Sequence, residues 1–177
     1  MILEKVKELC RKLKYVVKFN EPLYKHTALR LGGPSDVLIE CKDIKGLKCI
    51  LSFAKKEKIP VFILGAGTNL LVKDKGIRGI LIKLKGEFEN IKVSDLNVIC
   101  GAGVSLQKVM NISLKNSLSG LEFASGIPGT VGGAVFMNAG IKNNEIKDVI
   151  SNVAFLDETN RVRSKNKIKF EYRGSEF

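Results

Sequence analysis

Two short turns combine glycine and alanine in a pattern that suits phosphate binding. In "VFILGAGTNLL" Gly65 and Gly67 directly follow an apolar run, and in "NVICGAGVSLQ" Gly101 and Gly103 repeat the arrangement. Glycine permits a sharp turn and exposes consecutive backbone N–H groups, which together can bind a phosphate or pyrophosphate. Either turn alone could equally serve only to reverse the chain, but the repeat predicts a phosphorylated ligand.

A third stretch, "GLEFASGIPGTVGGAVFMNAG" at residues 120–140, is rich in glycine within an apolar background. Each glycine in a helix or strand costs about 0.5–1 kcal/mol, so this density favours close approach of the backbone to a ligand. The part "TVGGAVFMNAG" predicts a helix packed against a flat cofactor, with its N-terminal amides facing a negative group. The alternative is a purely structural, glycine-rich helix crossing.

A dinucleotide-binding Rossmann domain is disfavoured by the residues that follow these turns. Its fingerprint needs glycine or alanine three positions after the second glycine, where this chain has Leu70 and Leu106. The residues after the first turn, 68–84, also indicate extended structure with turns and not a phosphate-capping helix. A nucleotide ligand remains compatible with the sequence.

Hydrophobic periodicity predicts the elements that position these turns. The helices are expected at residues 2–13, 46–58 and 105–118, the last one capped by Ser105. The strands are expected at residues 35–40, 60–64, 79–84, 97–100 and 152–157, with a hairpin turn at 157–160. The charged, glycine-containing stretch from Lys73 to Gly79 is the best internal boundary, which gives two subdomains, 1–75 and 76–177.

Composition limits the class of protein. At 177 residues with 45% hydrophobic content the chain can fill a core, and it lacks an apolar run long enough for a membrane helix or a signal peptide, so we expect a soluble cytoplasmic protein. Four cysteines without C-x-x-C spacing and a single histidine, His26, favour buried, reduced thiols and no metal site. The net charge of +12 is spread along the chain and indicates a lysine-rich surface, so neither a nucleic-acid nor a membrane partner is predicted.

Six ordered motifs, from "HTALRLGGPSD" through "LGAGTNLLV", "GIRGILI", "GAGVSL" and "GLEFASGIPGTVGGAVFMNAG" to "FEYRGSEF", carry a family resemblance. Together they resemble the UDP-N-acetylenolpyruvoylglucosamine reductases, also called UDP-N-acetylmuramate dehydrogenases or the MurB family. The resemblance runs from about residue 20 to the last residue. It implies an enzyme of peptidoglycan precursor synthesis that takes hydride from NADPH through FAD to the enolpyruvyl group of a UDP-sugar.

The resemblance also implies a fold and a set of cofactor contacts. The fold is α+β, an FAD-binding PCMH/vanillyl-alcohol-oxidase-like arrangement of two α+β subdomains, and a third, substrate-binding subdomain is absent from this chain. The cofactor contacts implied by motif position are Gly65, Ala66, Gly67, Thr68, Asn69, Leu70, Gly101, Ala102, Gly103, Val104, Ser125, Gly126, Ile127, Pro128, Gly129, Thr130, Gly132, Gly133, Asn138, Ala139 and Gly140.

Arg173, in the family's Y-R-x-S-x-F motif, is the implied catalytic residue. Hydride addition at the carbon beta to a carboxylate builds negative charge on that carboxylate, so a fixed cation beside it stabilises the transition state. A guanidinium suits this task because its planar fork binds a carboxylate at two points and keeps its proton. Tyr172 is expected to help shape the substrate pocket, whereas Ser175 is expected to make a local hydrogen bond.

The proton donor of the family, a serine assisted by a glutamate, lies downstream of the Y-R-x-S-x-F motif, and this chain ends at Phe177. We therefore expect a chain that binds FAD but does not complete substrate reduction alone. The family's "AYGG" turn is replaced around Lys142–Asn144, and His26 is interpreted as a structural or rim residue. Two alternatives stay open: another FAD-linked oxidoreductase of the same fold, or a non-enzymatic nucleotide-binding module. The oligomeric state is not predicted.

Overall fold

The chain forms two compact units, which divide after Glu89. The computed structural model describes residues 2–141 and 144–177, so Lys142 and Asn143 of the unusual turn noted above lie outside the described residues. The boundary predicted after residue 75 falls inside the first unit. The reason is that residues 77–84 pair with two earlier strands and so belong to the first sheet.

The first unit is a four-stranded sheet with two helices. Its elements, in chain order, are α1 (Ile2–Leu13), β1 (Val16–Pro22), β2 (Pro34–Cys41), α2 (Ile44–Glu57), β3 (Val61–Ile63) and β4 (Ile77–Leu84). The strand order is β1-β2-β4-β3. Strand β1 pairs antiparallel to β2, whereas β2 and β3 both pair parallel to β4.

The core of the first unit follows from the two central strands. Residues 37–39 of β2 and 80–82 of β4 are all at most 2% exposed, as expected for unbroken apolar runs covered on both faces. Helix α2 turns Leu47, Ile50 and Ala54 inward, as its periodicity predicts. It begins two residues earlier than predicted because the Asp43 side chain caps it, accepting a hydrogen bond from Gly46 N at 2.8 Å.

The four cysteines are free thiols in different environments. Cys10 and Cys41 are buried, and burial raises the pKa of each thiol to about 11. Cys49 is exposed because it lies away from the buried face of α2, and Cys100 is partly exposed. The expectation of four buried thiols is therefore wrong for Cys49.

This difference predicts selective alkylation. At pH 8 in iodoacetamide, Cys49 should react well before Cys10 and Cys41, because the thiolate is the nucleophile and the two buried thiols hold their protons. The raised pKa values also affect stability. The folded protein keeps the protons of Cys10 and Cys41 to a higher pH than the unfolded chain does, so the free energy of unfolding falls as the pH rises from about 8.5 to about 11. Peptide mass spectrometry would measure the rates, with the urea-unfolded protein as control. Equal rates for Cys10 and Cys49 in the folded protein would contradict this prediction.

The second unit is built from short hairpins around two helices. Its elements, in chain order, are β5 (Ile91–Ser94), β6 (Asn97–Cys100), α3 (Leu106–Lys115), α4 (Val131–Phe136), β7 (Gly140–Ile141), β8 (Asn144–Glu145), β9 (Val153–Leu156), β10 (Val162–Lys165), β11 (Phe170–Glu171) and β12 (Gly174–Ser175). These strands form four antiparallel pairs: β5 with β6, β7 with β8, β9 with β10, and β11 with β12. The buried core of this unit contains Leu106, Phe123, Ala124, Ala134, Val135 and Ile146.

Two helices of the second unit differ from their predicted extents. Ser105 caps α3 as predicted, accepting from Lys108 N at 3.2 Å, but the helix ends at Lys115 and leaves Leu114 78% exposed while Ser113 is buried. The apolar spacing of Leu106, Val109, Met110 and Leu114 in the sequence predicts that all four share the buried face, and this prediction is wrong for Leu114. Helix α4 spans only residues 131–136 of the longer helix expected there.

The five strands expected from the sequence are present as β2, β3, β4, β6 and β9. A turn joins β9 to β10, with Asp157 N donating to Arg161 O at 3.0 Å, as the predicted hairpin requires. Within residues 2–141 and 144–177, no helix has both the length and the apolarity needed to span a bilayer. The same residues contain no cluster of three or more His, Cys, Asp or Glu side chains placed to hold a metal ion.

Candidate functional site

The first glycine turn, residues 65–70, leaves the sheet of the first unit at the end of β3. No helix follows it before β4, in agreement with the extended structure expected there. Gly67 is buried with a φ of +68°, and a Cβ atom at this position would lie 2.0 Å from the carbonyl oxygen of His26. Ala28 N donates to Gly67 O at 3.0 Å. Gly67 is therefore required by the packing of this loop on residues 26–28.

Three polar side chains, those of Glu21, His26 and Lys83, are linked at the segment on which the loop packs. His26 lies between Glu21 Oε1, 2.9 Å from its Nε2, and Lys83 Nζ, 2.9 Å from its Nδ1. A lysine ammonium has only donors, so Nδ1 must accept and Nε2 must carry the proton that is donated to Glu21. The side chain of His26 is 12% exposed. This placement agrees with a structural role for His26.

Burial and hydrogen bonding shift the pKa values of two of these three side chains. Desolvation lowers the pKa of Lys83, with the positive charges of Lys85 and Lys18 adding to the effect. The hydrogen bond from His26 lowers the pKa of Glu21. Lys83 lies 57 residues after His26, and sequence reasoning missed the group because no local pattern connects Lys83 with Glu21 and His26.

In the second unit, the structure brings together two segments that the sequence predicted separately. Residues 102–106 and 129–132 are joined by backbone hydrogen bonds of 2.8–3.0 Å: Gly132 N to Ala102 O, Val131 N to Val104 O, and Leu106 N to Gly129 O. Thr130 caps α4 by accepting from Gly133 N at 3.3 Å. The second Gly-Ala-Gly turn and the glycine-rich stretch thus form one continuous surface.

One edge of that surface is open. Ser125, Gly126 and Pro128 are exposed, and Gly126 has a φ of +83°. A Cβ atom at Gly126 would meet no atom of the described residues within 4 Å. The backbone at Gly126 therefore borders open space, and contact of this segment with a cofactor stays a prediction.

Asn138 and Gly140, expected to continue the cofactor surface, are buried within the second unit. The Asn138 side chain is 0% exposed and makes three hydrogen bonds to protein groups. Val104 is 2% exposed. Val104, Asn138 and Gly140 are thus buried within the unit. Ser125, Gly126 and Pro128 are exposed on its surface.

Arg173 lies at the turn of the hairpin formed by β11 and β12. Its φ is +57°, and its Nη1 donates to Gly140 O at 2.8 Å. The guanidinium carbon lies 5.3 Å from the ring centre of Tyr172, whose residue is 84% exposed. Ser175 Oγ donates to Phe136 O at 3.0 Å, a longer-range contact than the local hydrogen bond expected. Arg173, an exposed residue with a hydrogen bond to the backbone, thus lies beside an exposed aromatic ring.

The sequence is similar to a known protein family and to several known proteins. Residues 35–164 match the protein family described as FAD binding domain. The chain is 45% identical over 177 residues to the UDP-N-acetylenolpyruvoylglucosamine reductase of Caldanaerobacter subterraneus subsp. tengcongensis, which covers 99% of this chain and 58% of that protein. It is 44% identical over 161 residues to the enzyme of the same name from Clostridium tetani, covering 90% of this chain and 52% of that protein. The chain spans about half the length of the curated relatives it matches.

Among solved structures, the UDP-N-acetylenolpyruvylglucosamine reductase (MurB) of Thermus caldophilus is similar, with a TM-score of 0.76 and 33% identity over 92% of this chain and 57% of that one. Wild-type BBE-like 1 of Physcomitrella patens has a TM-score of 0.65 at 16% identity, covering 90% of this chain and 37% of that one, and shows the fold alone. The predicted α+β, PCMH/vanillyl-alcohol-oxidase-like fold is confirmed.

Proposed function

This chain belongs to the FAD-binding domain family, and from that premise we propose that it is the flavin-binding portion of a UDP-N-acetylenolpyruvoylglucosamine reductase. The observation that carries the proposal is the 45% identity to a reductase of that name over 99% of the chain. The proposed reaction uses NADPH and a UDP-sugar enolpyruvyl ether and serves peptidoglycan precursor synthesis. Both are cytoplasmic metabolites, so we also propose a cytoplasmic location.

The residues of both units fit FAD as the cofactor. In the first unit, the loop of residues 65–70 is held in a fixed conformation by its packing on residues 26–28, which suits the binding of a pyrophosphate. In the second unit, the joined segments 101–104 and 125–133 offer exposed backbone at Gly126. When bound, FAD would accept hydride from NADPH and deliver it to the substrate.

Arg173 is the proposed catalytic residue of this chain. Its guanidinium is the group we assign to the substrate carboxylate, where it would oppose the negative charge that develops during hydride addition. The hydrogen bond to Gly140 O fixes the guanidinium before the substrate arrives, so little reorganisation is needed in the transition state. Tyr172, exposed beside it, is assigned to the wall of the substrate pocket.

Completing the reaction also requires a proton donor. Among the relatives, the resemblance assigns this role to a serine assisted by a glutamate, at positions beyond the Y-R-x-S-x-F motif. The chain spans about half the length of the relatives it matches, and we propose that residues 1–177 bind FAD and do not by themselves turn over the substrate.

The test is a visible spectrum of the purified protein after incubation with FAD and removal of free flavin. We expect flavin absorbance that elutes with the protein, bleaching by NADPH in preference to NADH, and no appreciable formation of UDP-N-acetylmuramate from the enolpyruvyl substrate. A protein that takes up no flavin at saturating FAD would favour a different nucleotide ligand. Flavin that is indifferent to NADPH but reduced by another donor would favour a different oxidoreductase of the same fold.

A further inference from the structure

Residues 136–140, which run from the last residue of α4 to the first residue of β7, are joined to the hairpin of β11 and β12 at three alternate positions. Ser175 Oγ donates to Phe136 O at 3.0 Å, Asn138 Nδ2 donates to Glu171 O at 3.0 Å, and Arg173 Nη1 donates to Gly140 O at 2.8 Å. Positions 136, 138 and 140 thus each hold one residue of the hairpin. Asn138 is the central link of the three and is fully buried.

We propose that Asn138 is a positioning residue that sets the location of the Arg173 guanidinium by anchoring the hairpin, and that it does not contact the cofactor. The inference rests on the proposed function only in assigning Arg173 to the substrate carboxylate. The anchoring itself is a property of this unit alone. An amide that is 0% exposed and bonded to protein groups has no surface to offer a ligand.

The chemistry of the contacts requires asparagine in particular. Its Nδ2 donates to Glu145 Oε2 and to Glu171 O, both at 3.0 Å, while its Oδ1 accepts from Lys147 N at 3.3 Å. Aspartate has the same shape but no donors, and it would set a second carboxylate against Glu145 and against the Glu171 carbonyl. The backbone at Asn138 has a φ of +43°, a region that asparagine tolerates better than most residues.

Charge links the same residues to Arg173. The hydrogen bond from Lys147 most strongly lowers the pKa of Glu145, and the hydrogen bond from Asn138 and the charge of Arg173 lower it further. Glu145 is thus ionised close to both residues. The Asn138 amide donates both to the ionised Glu145 and to the hairpin that carries Arg173. Replacing this amide should therefore disturb both contacts.

The experiment compares Asn138→Asp with Asn111→Asp, which makes the same change at an exposed asparagine of α3. The dissociation constant of FAD is measured by titrating the flavin-free protein with FAD, and that of the enolpyruvyl UDP-sugar by titrating the FAD-loaded protein with the sugar, both by flavin absorbance. We expect Asn138→Asp to weaken binding of the sugar about tenfold and to change FAD affinity less than about twofold. In an Arg173→Gln background the same change should weaken sugar binding no further, since both act through one group.

A second readout does not depend on the substrate. The Arg173 side-chain N–H signals in a nitrogen-15 NMR spectrum should shift or broaden in Asn138→Asp and stay unchanged in Asn111→Asp. Unchanged Arg173 signals in Asn138→Asp would overturn the proposal, and so would a tenfold loss of FAD affinity. If Arg173→Gln itself leaves sugar binding unchanged, the proposed function is at fault, and the NMR result alone then decides the anchoring.

Asn138→Asp could fail to fold, because the amide is buried. Ser175→Ala then serves instead, since it removes only the hydrogen bond to Phe136 O. The same Arg173 signals should move in this variant, by less than in Asn138→Asp. No change in Ser175→Ala would contradict the view that these anchors set the position of Arg173.

Discussion

Gly67→Ala is expected to lose FAD binding and to lower the free energy of unfolding of the first unit by about 2–5 kcal/mol. The new Cβ atom would lie 2.0 Å from His26 O and 3.1 Å from Thr27 Cα, and both are backbone atoms that cannot rotate away. A φ of +68° adds the cost of a left-handed conformation in an L-residue. The loop must therefore move away from residues 26–28, and its backbone amides move with it.

Gly120→Ala is the matched control. Gly120 also has a positive φ, of +106°, but the new Cβ would meet only Val149 Cγ1, at an ordinary contact distance of 3.5 Å. This variant should lose only the cost of its backbone conformation, about 1–3 kcal/mol, and keep its FAD. Urea unfolding and FAD titration of both variants measure the difference. Equal losses in the two variants would show that conformation, and not the contact with His26, makes Gly67 necessary.

Arg173→Gln is expected to weaken binding of the enolpyruvyl UDP-sugar to the FAD-loaded protein by about 10- to 100-fold, because a hydrogen bond to a charged group contributes about 1.5–3 kcal/mol. FAD affinity should stay the same, since the proposed partner of Arg173 is the substrate carboxylate. Arg173→Lys should recover only part of the loss, because an ammonium lacks the planar fork. Perturbation of the flavin spectrum by the sugar measures the affinity.

Arg163→Gln is the control for loss of an arginine charge in the same unit. Arg163 lies on β10, where its Nε donates to Asp157 Oδ2 at 2.9 Å. Sugar binding should be unchanged in this variant. A comparable weakening in both variants would mean that the net charge of the protein, and not a site at Arg173, attracts the ligand.

Local signals in the sequence predicted the elements that local physics determines. Ser105 starts α3 as expected, and the apolar runs at β2 and β4 became the buried centre of the first sheet. Strand β1 escaped prediction because its residues are polar as well as apolar, a pattern that an edge strand tolerates. The division after Glu89 depends on the parallel pairing of β4 with β2 and β3, and no composition shift reveals such non-local pairing.

The candidate site was predictable to a similar degree. The glycines of the sequence mark two places where a side chain would clash: a Cβ atom at Gly67 would lie 2.0 Å from His26 O, and one at Gly132 would lie 2.9 Å from Ala102 Cβ. The burial of Asn138 could not be read from the sequence, since a motif does not show where an amide points. The pairing of His26 with Glu21 and Lys83 depends on side chains that only the folded sheet brings together.

The residues on which the Gly65–Leu70 loop packs, 26–28, lie outside the segment that matches the family. The family match covers residues 35–164, whereas Glu21, His26 and Arg173 all lie beyond its ends. A fragment excised at those limits would keep the loop but lose the backbone on which Gly67 rests, and it would lose the arginine as well. The limits of the family match and the limits of the proposed site are therefore different, and a minimal fragment that both binds flavin and carries Arg173 should start before β1 and end after β12.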